Sequence, residues 1–483
     1  MEDLVQKIIA LDKISTALEP SISKREKYQQ QIEKFANQFI NSLSNTHTYQ
    51  KGNVLNNDFE ITAQQKSLTE ILTIYSEQVA KKGINCASGG HLGYIPGGGI
   101  YTAALADFLA AITNEYAGMY FASPGAVTME NEVINWMKSI FKFPESAVGN
   151  LTSGGSIANL IALTAARDQH EIKNEKITTS VVYLSPHVHH CTQKAFKIIG
   201  LEDVIIRYLA LDGNFKIIPQ QLEQQIIKDK KQGLNPFLVI ASAGTTDTGA
   251  IDPLDSIGEI TKKHRIWYHI DAAYGGFFIL TKCKQALFKG IEKADSLVID
   301  PHKGLFLPYG LGAVLVKEKK AVFHSHYYQA NYMQDAIDEN LPLNPADVSP
   351  ELTKHFRALR MWLPLQLHGI KPFIAALDEK LLLVSYFREK LNKLGFLLGP
   401  LPDLSVSYFW YPSSQLNIDE NEFNKQLIKF IHEDGTIFLS STIINEKFVI
   451  RIAVLSFRTK KETIDKAVEM IKRGLKTTKL LFN

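Results

Sequence analysis

Cysteine is scarce: Cys86, Cys191 and Cys283 are the only three among 483 residues, widely spaced and without a CxxC pair. This excludes a disulfide scaffold and a cysteine-framed zinc site, and it fits a reducing, cytoplasmic setting. An excess of one charge is also missing. The 53 Lys plus Arg are nearly balanced by 50 Asp plus Glu, for a formal net charge of +3. No nucleic-acid-wrapping chain is expected from that balance, and 45% hydrophobic residues exclude a disordered one. No long uninterrupted apolar run occurs. The most apolar window, Ile100 to Ala122, is broken by Asp107 and Glu115, so it reads as a buried helix and the turn after it, with no membrane partner. The start, Met-Glu-Asp, lacks a basic region followed by an apolar core, and export is not expected. No repeat of solenoid length is apparent.

What is present is enough chain for two or three domains. Up to about Asn53 the sequence is polar, with Leu4, Ile8, Leu11 and then Ile32, Phe35, Phe39, Leu43 at helical spacing. These are amphipathic helices in need of a partner surface. The Asn-rich stretch Asn53 to Phe59 lacks periodicity and reads as a linker. The middle of the chain alternates helical stretches with short apolar, β-branched runs: Ser180 to Leu184, Phe237 to Ala243, Ile266 to Ile270, Ser296 to Ile299 and Gly312 to Val316. Such runs suit strands buried on both faces, so a mostly parallel α/β sheet is expected. After Phe356 to His368 the pattern becomes helix-rich. Strand candidates Ser405 to Trp410 and Phe448 to Val454 and a closing helix from Lys461 to Leu475 then indicate a small α+β domain. The expected division is 1–85, 86–370 and 371–483.

Three segments carry chemistry. Asn150-Leu-Thr-Ser-Gly-Gly-Ser-Ile-Ala-Asn159 runs from a turn straight into an apolar helix, where backbone amides, serine hydroxyls and the helix dipole favour an anion at Gly155 and Ser156. Trp267-Tyr-His-Ile-Asp-Ala-Ala-Tyr274 sets Asp271 at the carboxyl end of an apolar strand, where open α/β sheets bind ligands. Ser296-Leu-Val-Ile-Asp-Pro-His-Lys303 ends another buried strand with a lysine. Singly, these have ordinary roles as a Ser-capped glycine turn and a strand-end Asp capping a turn. Jointly they are what pyridoxal phosphate needs: a cradle for the phosphate, an acid to keep the pyridine nitrogen protonated, and an amine to form an imine with the aldehyde.

From about Tyr94 to Arg458 the motifs TSGGSIAN, GTTDTGAID, HIDAAYGG, DPHKG and FRALRMW occur in order. In them the chain resembles the group II pyridoxal-phosphate-dependent amino acid decarboxylases, especially the aromatic-L-amino-acid decarboxylase branch. The resemblance implies the fold-type I, aspartate aminotransferase-like scaffold, with a mostly parallel central sheet, a helical N-terminal segment and a small C-terminal domain. It implies pyridoxal 5'-phosphate as cofactor, Lys303 as the imine lysine, Asp271 as partner of the pyridine nitrogen and Ala273 packed near the ring. His189 matches the histidine stacked on the ring, His302 the phosphate-side histidine, and Thr246 the threonine beside the ring substituents. Ungapped spacing from Lys303 puts Tyr332 at the position of the loop tyrosine that reprotonates Cα, with Tyr327 and Tyr328 as neighbours. Tyr94, Ile95, Pro96 and Phe121 are the substrate-pocket candidates, and their apolar character favours an aromatic or bulky apolar side chain. A homodimer whose N-terminal helices wrap the other subunit is also implied.

The chain departs from the family in places. Ser88-Gly89 stands for the usual His-Pro, Ile157 for an acidic residue, and Lys354-His355 for an Arg pair. These changes touch the substrate side more than the cofactor side. A metal at His187, His189 and His190 lacks a completing Cys or acid, so no metal is assigned and His187 and His190 read as polar loop residues. The Gly97-Gly98-Gly99 run reads as a turn, with a second anion cradle as the alternative. Arg451 matches a small-domain arginine that either binds a carboxylate or makes a structural ion pair. Rival functions are a pyridoxal phosphate lyase, an aldehyde synthase or an aminotransferase on the same scaffold. A non-catalytic interaction module would be expected to have lost the lysine or its acid, and both are present.

Overall fold

The computed structural model describes residues 1–52, 56–327, 342–412 and 419–482. Its centre is a seven-stranded sheet of β1 (Val148–Thr152), β2 (Ser180–Leu184), β3 (Ile205–Tyr208), β4 (Asn235–Ser242), β5 (Trp267–Asp271), β6 (Ser296–Ile299) and β7 (Gly312–Val316), in the order β1-β7-β6-β5-β4-β2-β3. Pairings among β6, β5, β4, β2 and β3 are parallel, and β7 runs antiparallel to both its neighbours. All but the edge strand β3 are buried on both faces. Successive residues point to opposite sides, so Val239, Ala241, Tyr268 and Ile270 enter one core while Leu238, Ile240 and Trp267 enter the other. That double burial leaves the carboxyl ends of the parallel strands as the place where polar side chains can gather.

In chain order the helices before the cradle are α1 (Glu2–Ser15), α2 (Ile22–Ser42), α3 (Leu68–Ile74), α4 (Tyr101–Thr113) and α5 (Pro124–Phe141), followed by α6 (Gly155–Gln169). α1 and α2 bury no residue, so Leu4, Ile8 and Leu11 stand exposed as an unpartnered apolar face. α4 corrects the expectation of a buried helix. Only Ala103, Ala106 and Ala110 are buried, with α4 packed against the helix Arg357–His368, while Leu105, Phe108, Leu109 and Ile112 face outward. The small residues lie on one side of the 3.6-residue period and the large ones on the other.

The second sheet pairs Leu397–Leu398 (β8), Val406–Trp410 (β9), Ser440–Ile444 (β10) and Lys447–Ala453 (β11) in the order β8-β9-β11-β10, all antiparallel. The closing helix, Lys461–Leu481, packs here with Glu420–Asp434. The helix Lys371–Lys393 joins the two bodies. Phe373 and Leu377 at its start belong to the main core, and Val384, Phe387 and Leu391 belong to the core under the second sheet. Among the described residues no helix is long and apolar enough to cross a membrane.

Candidate active site

β1 delivers the chain into the cradle. Gly154 has φ +149°, a conformation that side chains rarely adopt, and α6 follows at once. A Cβ on Gly155 would meet Asp300 Oδ2 at 2.9 Å and the Ala273 Cβ at 3.4 Å, so a glycine holds open the space in front of the first N–H groups of α6. Those N–H groups lack intrahelical partners and lie at the positive end of the helix dipole.

Lys303 approaches from the far side. β6 ends at Ile299, Asp300 precedes the helical turn Pro301–Gly304, and Lys303 Nζ lies 3.0 Å from Asp300 Oδ2. Burial opposes charge on the Lys303 amine, but the Asp300 carboxylate outweighs it and holds the amine above its ordinary pKa. His302 is held below the usual histidine range by burial, which Asp300 only partly offsets, and its Nδ1 lies 2.5 Å from the Leu311 carbonyl oxygen. Asp300 Oδ1 is buried and without a hydrogen-bond partner among the described residues. A polar atom in that condition marks a place where another group belongs.

Asp271 closes β5. Its Oδ1 accepts the Ala273 N–H at 3.0 Å and its Oδ2 the Asn159 amide at 3.4 Å. His189 Nδ1 accepts the Cys191 N–H at 3.3 Å, and burial, opposed by Asp271, keeps the ring below its ordinary pKa. The Cys191 thiol is pushed up to about 12 by burial and by Asp271.

Gly155, Ser156, His189, Thr246, Asp271, Ala273, His302 and Lys303 therefore line one cleft of about 250 Å³, joined by Asn159, Cys191, Thr245 and Asp300. Tyr94, Ile95 and Phe121 do not line it: Ile95 is buried, and Tyr94 and Phe121 are 58% and 61% exposed. Tyr332 and Tyr328 lie outside the described residues. Tyr327 is exposed and stacks on Phe323.

Several readings are sharpened or corrected. His187 is more than a loop residue, since it lines the cleft and faces Asp247 at 3.6 Å, whereas His190 is exposed. No group of three His, Cys, Asp or Glu is arranged to hold a metal among the described residues. Arg451 bonds the backbone carbonyls of Thr246 and Asp247 and the Ser440 hydroxyl, so it secures the loop that carries Thr246, and it forms no ion pair among the described residues. Gly97 packs against the lysine turn, where a Cβ would lie 2.0 Å from the His302 carbonyl oxygen, and the Gly98 and Gly99 carbonyls accept from Arg458. That run is a packing turn. Lys354 makes a buried ion pair with Glu130 at 2.7 Å and also bonds Asn150 Oδ1, fastening the segment after residue 341 behind β1.

Pyridoxal phosphate presents three handles, and each meets a suitable group: the phosphate a cradle that a Cβ would fill, the ring nitrogen a carboxylate, and the aldehyde an amine. Asp300 is the residue the sequence reading passed over. Its signal was an acid three positions before a lysine, at the end of the same strand.

Residues 53–398 match the family described as pyridoxal-dependent decarboxylase conserved domain. The chain is 36% identical over 386 residues to an aromatic-L-amino-acid decarboxylase of Bacillus atrophaeus, covering 79% of this chain and 80% of that protein. It is 26% identical over 391 residues to a phenylacetaldehyde synthase of Arabidopsis thaliana, covering 78% and 80%. The solved structure of Oryza sativa TDC with PLP and tryptamine superposes with a TM-score of 0.90 at 20% identity, over 96% of this chain and 99% of that one, which shows the shared fold. A family match of that extent, on a cleft that offers a handle to each reactive part of the cofactor, makes this chain a member of the pyridoxal-dependent decarboxylases: a pyridoxal 5'-phosphate-dependent carboxy-lyase of amino acids.

Proposed function

We propose that the substrate is an aromatic or bulky apolar L-amino acid, converted to its amine and carbon dioxide, and that Lys303 is the residue that carries the cofactor. One observation carries the reading: Lys303, Asp271 and the amino end of α6 converge on a single cleft. When bound, pyridoxal phosphate supplies an electron-accepting ring that weakens the bond from Cα to the carboxylate. The chain supplies the rest. The N–H groups at Gly155 and Ser156 hold the phosphate, with His302 beside it. Asp271, steered by the Ala273 N–H, holds a proton on the ring nitrogen. His189, Ala273 and Thr246 line the cleft where the ring would lie. Lys303 reacts as the free amine, and Asp300, 3.0 Å away, orients that amine and stabilises its ammonium form, so the proton must leave to solvent before the amine can react. Tyr332 is assigned the return of a proton to Cα.

The substrate class is supported by the name of the Bacillus atrophaeus relative. A homodimer is supported by the exposed apolar faces of α1 and α4, with the N-terminal helices wrapping the second copy. The proposed division of the chain is 1–85, 86–370 and 371–483. Cysteine usage supports a cytoplasmic setting. A second reading, release of an aldehyde and ammonia, is supported by the phenylacetaldehyde synthase relative.

A screen of the common L-amino acids tests the proposal. The expected result is carbon dioxide and amine from aromatic substrates, with borohydride trapping the cofactor on Lys303. Aldehyde with ammonia favours the second reading, a keto acid indicates an aminotransferase, and an adduct on another residue overturns the site.

A further inference from the structure

Trp267, His269 and Asp271 alternate along β5 and share the face turned to α6, and the register sets Ser296 of β6 beside His269. Hydrogen bonds join these groups in a line. Trp267 Nε1 lies 2.9 Å from Ser296 Oγ, Ser296 Oγ 2.8 Å from His269 Nδ1, His269 Nε2 2.8 Å from Asn159 Oδ1, and Asn159 Nδ2 3.4 Å from Asp271 Oδ2. All five side chains are buried.

The direction of the line is fixed from its Asn159 end. An indole N–H only donates, so Ser296 accepts it and its own proton is left for His269 Nδ1. At the other end, Asn159 Nδ2 also donates to the Gly155 carbonyl at 2.9 Å, which sets the amide so that Oδ1 faces His269. An amide oxygen only accepts, so His269 Nε2 carries the ring proton. The Asn159 end demands this neutral tautomer and the Ser296 hydroxyl accommodates it, and burial, against the pull of Asp271, lowers the His269 pKa to about 4. The last donor points at Asp271 Oδ2. That bond fixes the direction in which the carboxylate faces.

Resting on the reading of Asp271 as partner of the ring nitrogen, we infer that Trp267, Ser296, His269 and Asn159 form a one-way hydrogen-bond chain that keeps Asp271 aimed, with Asn159 and His269 as positioning residues.

The test compares binding of pyridoxal phosphate and of its 1-deaza analogue, in which CH replaces the ring nitrogen, to the full-length chain freed of cofactor. The unaltered chain should prefer pyridoxal phosphate by about tenfold or more, the worth of a hydrogen bond to a charged group. Asp271→Asn should remove the preference. Asn159→Ala and His269→Phe should cut the preference by about threefold or more and leave the analogue's affinity within about twofold, while His269→Gln, which keeps a donor, should retain more of it. Equal weakening of both ligands by Asn159→Ala, or a full preference retained in it while Asp271→Asn loses its own, overturns the chain of bonds alone. A preference that survives Asp271→Asn overturns the reading of Asp271. Should His269→Phe fail to fold, nitrogen NMR of the unaltered chain decides: a proton on His269 Nε2 supports the inference, and one on Nδ1 overturns it.

Discussion

The floor of the cleft and the outer face made by α4 and its neighbours solve opposite problems. On the floor, Lys303 is matched by Asp300, and Asp271 by the Ala273 and Asn159 N–H groups, all within one chain. On the outer face, Leu105, Phe108, Leu109 and Ile112 of α4 stand exposed. Buried ionised groups demand partners nearby because an unpaired charge out of water is costly, so the cofactor chemistry is assembled locally. Apolar surface can instead be completed by another copy, because its stabilisation depends on area and not on direction. The contrast separates what a single chain holds ready from what it leaves open to a second surface.

The comparison can be broken most directly at the lysine. Lys303→Ala should cut carbon dioxide release by about a thousandfold or more, as loss of a covalent nucleophile does, while circular dichroism shows the fold retained. Lys354→Met strikes the floor from behind by leaving Glu130 buried and unpaired, and should cost about 3–5 kcal/mol, read as a lowered denaturation midpoint. The outer face is probed by Phe108→Glu, which should convert a dimer to monomers in sedimentation while the isolated chain loses less than about 1 kcal/mol of stability, as exposed substitutions do. Asp300→Asn should lower the Lys303 amine pKa, since Asp300 is what raises it. The pH midpoint for capture of added pyridoxal phosphate should then move to lower pH.

The smallest effect concerns His91, buried between Tyr94 and Phe438 with both ring nitrogens unpaired among the described residues. Burial lowers its pKa to about 4, below the ordinary 6.5, so the unfolded chain takes up the proton first. Stability present above pH 6.5 is lost as pH falls towards 4. His91→Phe should flatten this acid limb in urea titrations and change stability at pH 7.5 by no more than about 1–2 kcal/mol.

Much of the frame was legible because buried strands announce themselves. Ser296–Ile299 and Gly312–Val316 are short apolar runs with clear borders, and both form strands at those bounds. β1 was missed because Val148-Gly-Asn-Leu-Thr152 has glycine and asparagine at its centre, residues poor in strands, and owes its place to pairing with β7. β3 is a four-residue edge strand with little pattern to read. In the site, the cradle, Asp271 and Lys303 were legible because each marks the end or start of an element. The bonding of Arg451 was not, because the carbonyls it holds lie about two hundred residues earlier in the chain.

Sequence alone thus determined which reactive groups this protein possesses and that they stand at element ends, since periodicity and local backbone preference depend on near neighbours. Tertiary structure decided how those groups are paired: Asp300 with the lysine amine, Asn159 with Asp271, and His269 with Ser296 and Asn159. Hydrogen bonds and charges act over a few ångströms, and only the folded sheet brings residues 159, 269 and 296 within that reach.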